Sequence, residues 1–278
     1  MKAIHMLMHQ AKPDVADITM RILDACEEAG IAISTEEWLK DQLPPEQWAR
    51  FTDSSAFEAV LSVGGDGTLL RANKLAVELQ IPLLGVNIGR VGFLTEIELG
   101  QIQQAMLRLA RDDYSIEERM MMQACLNTGE SWLALNDVVV SRGGYSRLMG
   151  VDAFVNGNQV GRFLGDGLLV ATPTGSTGYS LSAGGPIVCP EVECLLLTPI
   201  CAHSLQHRPV VASPSQTITI RTDDAHPAVI SVDGQKAVRF VADQTLTITR
   251  AQQRAKFICF EPGSFFEMIR IKLSEWSC

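Results

Sequence analysis

The chain has 278 residues, 46% of them apolar and 20% charged, with 23 Lys and Arg set against 32 Asp and Glu, a formal net charge of −9. At about 150 residues per domain this length predicts two domains, and the balance excludes a disordered or collagen-like chain. No basic run and no apolar run of membrane-spanning length occurs, which argues against a nucleic-acid surface and against a membrane segment.

The opening, Met1–Met6, lacks the apolar core and cleavage pattern of a signal peptide and reads as a first strand. Val15, Ile18, Ile22, Cys26 and Ala29 recur at helical spacing, with Asp14 as N-cap and Gly30 as stop. Ala59–Val63 is a compact buried strand, followed by Gly64-Gly65-Asp66-Gly67-Thr68. Leu69, Leu70, Leu75, Ala76 and Leu79 mark the next helix, 81–86 the next strand, and Ile102, Met106 and Leu109 a further helix. Strand–helix alternation predicts a parallel, Rossmann-like sheet within an α/β domain over residues 1–113.

From about residue 114 the pattern changes to short β runs. Val151, Ala153 and Val155 alternate with polar residues before Asn156-Gly157-Asn158, a hairpin signal. Residues 217–220, 228–232, 236–241 and 245–249 continue it, with an Asp233-Gly234 turn between the middle two. An all-β sandwich domain is expected over 114–260. Residues 265–276 return to helical spacing, so a C-terminal helix within 261–278 is expected to pack back on the first domain.

The seven cysteines are odd in number and irregular in spacing, which predicts reduced thiols in a cytoplasmic protein. Cys189, Cys194, Cys201, His203 and His207 crowd together, but their spacings match no common zinc ligand set.

Three segments carry chemistry. Gly64–Thr68 joins a buried strand to a helix. Bare glycine backbone and a helix N-terminus suit a phosphate, yet Asp66 would repel one unless it bound a metal or accepted a proton. The plain structural alternative is a tight turn with Asp66 as helix cap. Neither a Walker sequence nor Gly-x-Gly-x-x-Gly is present. The second segment runs from Gly165-Asp166-Gly167 through Thr172-Pro173-Thr174-Gly175-Ser176-Thr177-Gly178-Tyr179-Ser180-Leu181-Ser182 to Val188. Its hydroxyls suit a sugar and its tyrosine a planar base; the alternative is a flexible Gly- and Ser-rich loop. The third is Asn136-Asp137, which fits ribose hydroxyls or a simple strand-entry turn.

Together with Gly85–Thr95 and Thr198–Pro209, these segments resemble the NAD kinase family over most of the chain. Gly64–Thr68 alone also resembles the turns of phosphofructokinases and of diacylglycerol and sphingosine kinases. A lipid kinase of that kind is the alternative function. The Thr172–Val188 segment is far more specific to NAD kinases and decides between them.

The resemblance implies phosphoryl transfer from ATP to the 2′-hydroxyl of the adenosine ribose of NAD, with Mg²⁺ or Mn²⁺ on the ATP phosphates and no metal site of the protein's own. It makes Asp66 the proton acceptor, with Gly64, Gly65, Gly67 and Thr68 near the phosphates. It puts Asp66, Gly67, Arg71, Asn136, Asp137, Arg147, Asp166, Thr177, Gly178, Tyr179, Ser180, Ser182 and Gln235 on NAD. It gives Thr198–Pro209 a structural role and suggests a homodimer or homotetramer. The chain departs from the family in carrying Asp137 where Glu is common, and Leu164 where a basic residue often stands two positions before Asp166. Arg162 is a candidate substitute.

Overall fold

The computed structural model describes residues 1–10, 14–53, 56–89, 92–143, 149–203, 207–222, 228–261 and 265–275. The chain divides into two compact units, Met1–Glu118 with Ala255–Cys278, and Arg119–Arg254.

The first unit begins with β1 (Ala3–Met8), α1 (Val15–Ala29), β2 (Ala32–Thr35) and the short α2 (Glu37–Lys40). It continues through β3 (Ala59–Gly64), α3 (Asp66–Leu79), β4 (Leu83–Asn87), β5 (Ile97–Glu98) and α4 (Ile102–Ala110). Gly30, at φ 68, closes α1 in the left-handed conformation that glycine adopts without strain. Asp14 takes the N-cap position, but its side chain makes no capping bond; only its carbonyl is used, by the Ile18 amide. The N-cap position is the expected one, and burial of Ile18, Ile22, Leu23 and Cys26 holds α1 in place of a side-chain cap bond.

The strands lie in the order β4-β3-β1-β2, every pair parallel, with β5 parallel on β4. From β1 the chain moves one way to β2 and then the other way through β3 to β4. The reversal falls between β1 and β3. In open parallel sheets this switch point, at the strands' carboxyl ends, is where ligands bind. One core cluster fills this unit, built from Ile4, Met6, Leu61, Val63, Leu84 and Val86 of the sheet with Ile22, Leu23, Met106 and Leu109 of the helices.

Strand β6 (Ser115–Leu126) carries the chain into the second unit. There follow β7 (Ser131–Ala134), β8 (Asp137–Arg142), β9 (Met149–Val155), β10 (Asn158–Gly165), β11 (Gly167–Ala171), a four-residue α5 (Tyr179–Ser182), β12 (Leu195–Ile200), β13 (Val210–Ala212), β14 (Ile218–Thr222), β15 (Ala228–Val232) and β16 (Gln235–Phe240). Strand β17 (Leu246–Cys259) brings the chain back, and α6 (Phe265–Glu275) ends it in the first unit. The sequence pattern showed only the start of β17; the polar stretch Arg250–Arg254 hides a strand that continues to Cys259. Phe257 of β17 lies beside Leu83 in the first unit's parallel sheet.

The second unit is antiparallel throughout its main ladders. One runs β10-β9-β14-β17 and the other β13-β12-β11-β8-β15-β16. Asn156 (φ 49) and Gly157 (φ 79) make the two-residue turn between β9 and β10, as the sequence signals. In β8, β11 and β12 alternate residues serve two cores. Val138, Val140, Leu168, Val170, Leu195 and Leu197 enter the inter-sheet core, while Val139, Leu169, Ala171 and Leu196 enter a smaller cluster on the opposite face. Ala183 and Val188 pack on that second cluster. The segment after β11 therefore covers the sheet's outer face, and these strands read as unbroken apolar runs.

Candidate active site

In the first unit a cavity of about 610 Å³ opens at the switch point. It is lined by Met8, His9 and Gln10 after β1, by Gly65, Gly67, Thr68 and Arg71 after β3, and by Asn87, Ile88 and Gly89 after β4. Asn87 is buried, and its amide group both donates to the Gly89 carbonyl (3.1 Å) and accepts from the Gly89 amide (3.1 Å), fixing that wall. The N-cap of α3 is Gly65, and Asp66 is the first helical residue. Reading Asp66 as a cap is thus corrected: its carboxylate spends nothing on its own helix. It accepts instead from the main-chain amides of Phe93 (3.0 Å) and Leu94 (3.2 Å). One bond at each oxygen leaves each with a further lone pair for a ligand hydroxyl.

The glycines of the turn have separate tasks. A Cβ at Gly64 would meet Thr68 Oγ1 at 2.4 Å, so this glycine is needed for packing. A Cβ at Gly65 or Gly67 would meet nothing within 4 Å. Those two leave main chain bare toward the cavity at a helix N-terminus, where free amides and the helix dipole favour an anion. Arg71, one turn into α3, is held in the wall by the Met8 carbonyl (2.7 Å) and the Glu36 carboxylate (3.2 Å).

In the second unit Asn136, Asp137, Gly178 and Tyr179 come together. A Cβ on Gly178 would lie 3.9 Å from Asn136 Nδ2 and 4.0 Å from Asp137 Oδ2, so the glycine backbone passes close beside both side chains. Asn136 Oδ1 is buried with no hydrogen-bond partner, an acceptor waiting for a donor. Asp137 is buried, and its pKa is pushed up to about 7, first by burial and then by the neighbouring Asp233 carboxylate. Tyr179 is 47% exposed. Desolvation and then Cys201, Asp166 and Asp137 raise its hydroxyl above the usual range.

Asp166 sits between two glycines pinched by neighbouring strands. A Cβ at Gly165 would meet the Ile200 carbonyl at 2.7 Å, and one at Gly167 the Val140 carbonyl at 2.2 Å. The Asp166 carboxylate pairs with Arg142 Nε at 3.2 Å. Arg142 stands at the end of β8, a partner that the sequence spacing does not reveal. Arg162 pairs with Asp152 of β9 (3.3 Å), and Leu164 is exposed.

The remaining expected residues differ in their surroundings. Thr177 is buried and donates to the Thr174 carbonyl (3.2 Å); Ser180 is fully buried against Thr198 Oγ1 (3.1 Å). The first bond staples the segment internally and the second ties it to β12. Ser182 and Gln235 are exposed, and Arg147 lies outside the described residues. The residue that sequence reasoning passed over is Asp233, whose carboxylate accepts the main-chain amides of Leu135, Asn136 and Asp137. Among the described residues no three His, Cys, Asp or Glu gather to hold a metal, Cys189–His207 included.

Residues 9–114 match the model of the ATP-NAD kinase N-terminal domain, and residues 135–260 that of the ATP-NAD kinase C-terminal domain. The chain is 38% identical over 271 residues to an NAD kinase of Gemmatimonas aurantiaca, covering 95% of this chain and 93% of that protein. It is 37% identical over a 292-residue alignment to an NAD kinase of Lachnoclostridium phytofermentans, covering 99% and 100%. Its fold is similar to the yeast NADH kinase complexed with NADH, with a TM-score of 0.84 at 22% identity over 99% of this chain and 88% of that one. It is also similar to an NAD kinase from Archaeoglobus fulgidus in complex with ATP, with a TM-score of 0.76 at 28% identity over 99% of each chain. The lipid-kinase alternative gains no support from these matches, and the chain belongs to the ATP-NAD kinase family.

Proposed function

We infer that this chain transfers the γ-phosphoryl group of ATP to the 2′-hydroxyl of the adenosine ribose of NAD, with Asp66 as the proton acceptor. The ribose oxygen forms a bond to phosphorus, the bond to the bridging oxygen of ADP breaks, and the hydroxyl proton passes to the carboxylate. The observation carrying this reading is a single acid, fixed by two main-chain amides at the head of a helix, beside a switch-point cavity partly lined by bare glycine backbone.

Phosphoryl transfer asks the protein for positioning and charge neutralisation more than covalent chemistry. Gly65, Gly67 and Thr68 would offer main-chain amides to phosphate oxygens, and Arg71 a fixed positive charge. Asn136, with its free Oδ1, and Asp137, neutral over part of the physiological range, suit ribose hydroxyls; Tyr179 suits a planar base. A divalent cation would neutralise charge on the phosphates when bound. Mg²⁺ commonly keeps several waters and takes one or two carboxylates plus substrate phosphates. Asp66, a carboxylate beside the glycine-lined cavity, fits that mode. A homodimer or homotetramer in the cytoplasm completes the reading, carried over from the family resemblance. Among the described residues no helix is long and apolar enough to cross a membrane.

The test is incubation with ATP, Mg²⁺ and NAD, with product coupled to an NADP-specific dehydrogenase, and with diacylglycerol and sphingosine as parallel acceptors. NADP formation is expected, and Asp66→Asn is expected to lose turnover about 10²- to 10⁴-fold while still binding NAD. Unchanged turnover in that variant removes Asp66 from its assigned role.

A further inference from the structure

We propose that Asp233 is a positioning residue for the dinucleotide, whose carboxylate fixes the backbone of Leu135–Asp137 so that the Asn136 and Asp137 side chains are presented together. The proposal rests on the reading above that these two side chains contact NAD.

The ladder puts Asp233 there. Strands β15 and β8 pair antiparallel with Val232 opposite Val138, so the next residue of the β15–β16 turn falls beside Asp137. Asp233 (φ 50) and Gly234 (φ 67) form that turn in the left-handed conformation, which Asp tolerates better than most residues. From this position Oδ1 accepts the amides of Asn136 (2.7 Å) and Asp137 (3.1 Å), and Oδ2 accepts that of Leu135 (2.9 Å).

Asp233 does more than close a turn, because it takes up most of the segment's main-chain hydrogen-bonding groups. All three N–H groups of residues 135–137 go to Asp233. The Leu135 carbonyl accepts from the Thr172 hydroxyl, the Asn136 carbonyl from the Thr172 amide (2.9 Å), and the Asp137 carbonyl from the Asp233 amide (2.9 Å). All six main-chain polar groups are spent, four of them on Asp233. At Asn136 the side-chain oxygen has no partner. The backbone is locked while a side-chain acceptor is kept for something else. A carboxylate satisfies all three amides, whereas an asparagine with its oxygen at the Oδ1 position would keep two of them and turn its NH2 against the Leu135 N–H.

The test compares Asp233→Asn and Asp233→Ala with the unaltered enzyme. It reads KM for NAD, KM for ATP, kcat, and hydrogen exchange at the amides of Leu135, Asn136 and Asp137. Losing charge-assisted bonds to three amides is expected to raise KM for NAD about 10-fold or more in Asp233→Ala, with a smaller rise in Asp233→Asn. KM for ATP should stay within about twofold, and exchange at the three amides should quicken ahead of the rest of β8. A folded Asp233→Asn enzyme with quickened exchange but unchanged KM for NAD overturns the proposal. So does a parallel rise in both KM values, or a failure of both variants to fold, since either marks a purely structural residue. Asn136→Ala is the control. If it leaves NAD binding intact, the assignment of this segment to NAD falls and the proposal with it. If it weakens NAD binding while the Asp233 variants do not, the proposal alone falls.

Discussion

A methyl carbon placed on Gly92 would lie 2.0 Å from Asp66 Oδ1 and 2.7 Å from its Cγ. Gly92 is therefore the floor against which the Asp66 carboxylate rests while it accepts the amides of Phe93 and Leu94. Gly92→Ala evicts that carboxylate, and because the obstacle is the free end of a rotatable side chain, the cost falls on the chemistry more than on the fold. A misplacement of about 1 Å is worth roughly 10²-fold in rate. We expect Gly92→Ala to lose turnover by about that factor, with KM values and melting temperature little changed. A folded Gly92→Ala enzyme with ordinary kcat would show that this placement of Asp66 is irrelevant to turnover.

The three glycines of the turn should separate into one structural and two functional positions. Gly64→Ala drives a Cβ into Thr68, a buried β-branched side chain with little freedom to move. It should cost about 1–3 kcal/mol of stability by overpacking. Gly65→Ala and Gly67→Ala meet open space, and in the first turn of α3 alanine should add up to about 1 kcal/mol over glycine at position 67. Their Cβ atoms would instead stand where phosphates approach, raising KM for ATP or NAD. Thermal melts with steady-state kinetics separate the two classes. Intact kinetics in Gly67→Ala would remove the phosphate-cradle role.

Asp137 makes the stability of the enzyme depend on pH in a definite direction. Its pKa is about 7 in the folded protein against an ordinary 3.8, raised by burial and by Asp233. The folded state therefore holds a proton that the unfolded state releases between these values. The contribution is complete below about pH 4 and is lost as pH rises through about 7. Asp137→Asn has no carboxyl to ionise, so it should lack this loss. Its melting temperature relative to the unaltered enzyme should climb from pH 5 to pH 7 and level off by pH 8.5. A difference that is flat with pH would mean that Asp137 is charged throughout.

Much of this was legible in the sequence, for identifiable reasons. The helices α1, α3 and α4 each bury one face, so their spacing shows. The Asn156-Gly157 and Asp233-Gly234 turns need positive φ, and their residues announce it. Strand β2 went unread because it has four residues, and the far end of β17 because its polar stretch masks the alternation. The Gly64–Thr68 turn singles out Asp66 as a candidate from residue types alone, because a carboxylate among bare glycines at a helix start is out of place beside a plain anion. Asp233 and Arg142 are not singled out in this way. Their importance comes from long-range pairing, Asp233 with residues 96 to 98 positions away and Arg142 with Asp166 across adjacent strands, which no local pattern encodes.

The hydroxyl-rich segment after β11 gives the sharpest test of what composition alone suggested. Thr177, Tyr179, Ser180 and Ser182 all look equally suited to a sugar or a base. In the fold they divide, because this segment covers the second face of the β8, β11 and β12 strands. It must satisfy its own buried polar groups while doing so. Ser180 is spent on Thr198, and a Cβ on Gly185 would strike its hydroxyl at 2.3 Å, so the space around it is full. Tyr179, one residue earlier, is turned outward. Ser180→Ala should therefore cost about 1 kcal/mol of stability through the orphaned Thr198 hydroxyl, leaving KM for NAD near its original value. Tyr179→Ala should do the reverse, leaving the melting temperature within a few degrees and raising KM for NAD severalfold as a stacking face is lost. Measured together, melts and NAD kinetics assign the two residues. A Ser180→Ala enzyme that melts normally yet binds NAD poorly would turn that serine back into a ligand contact.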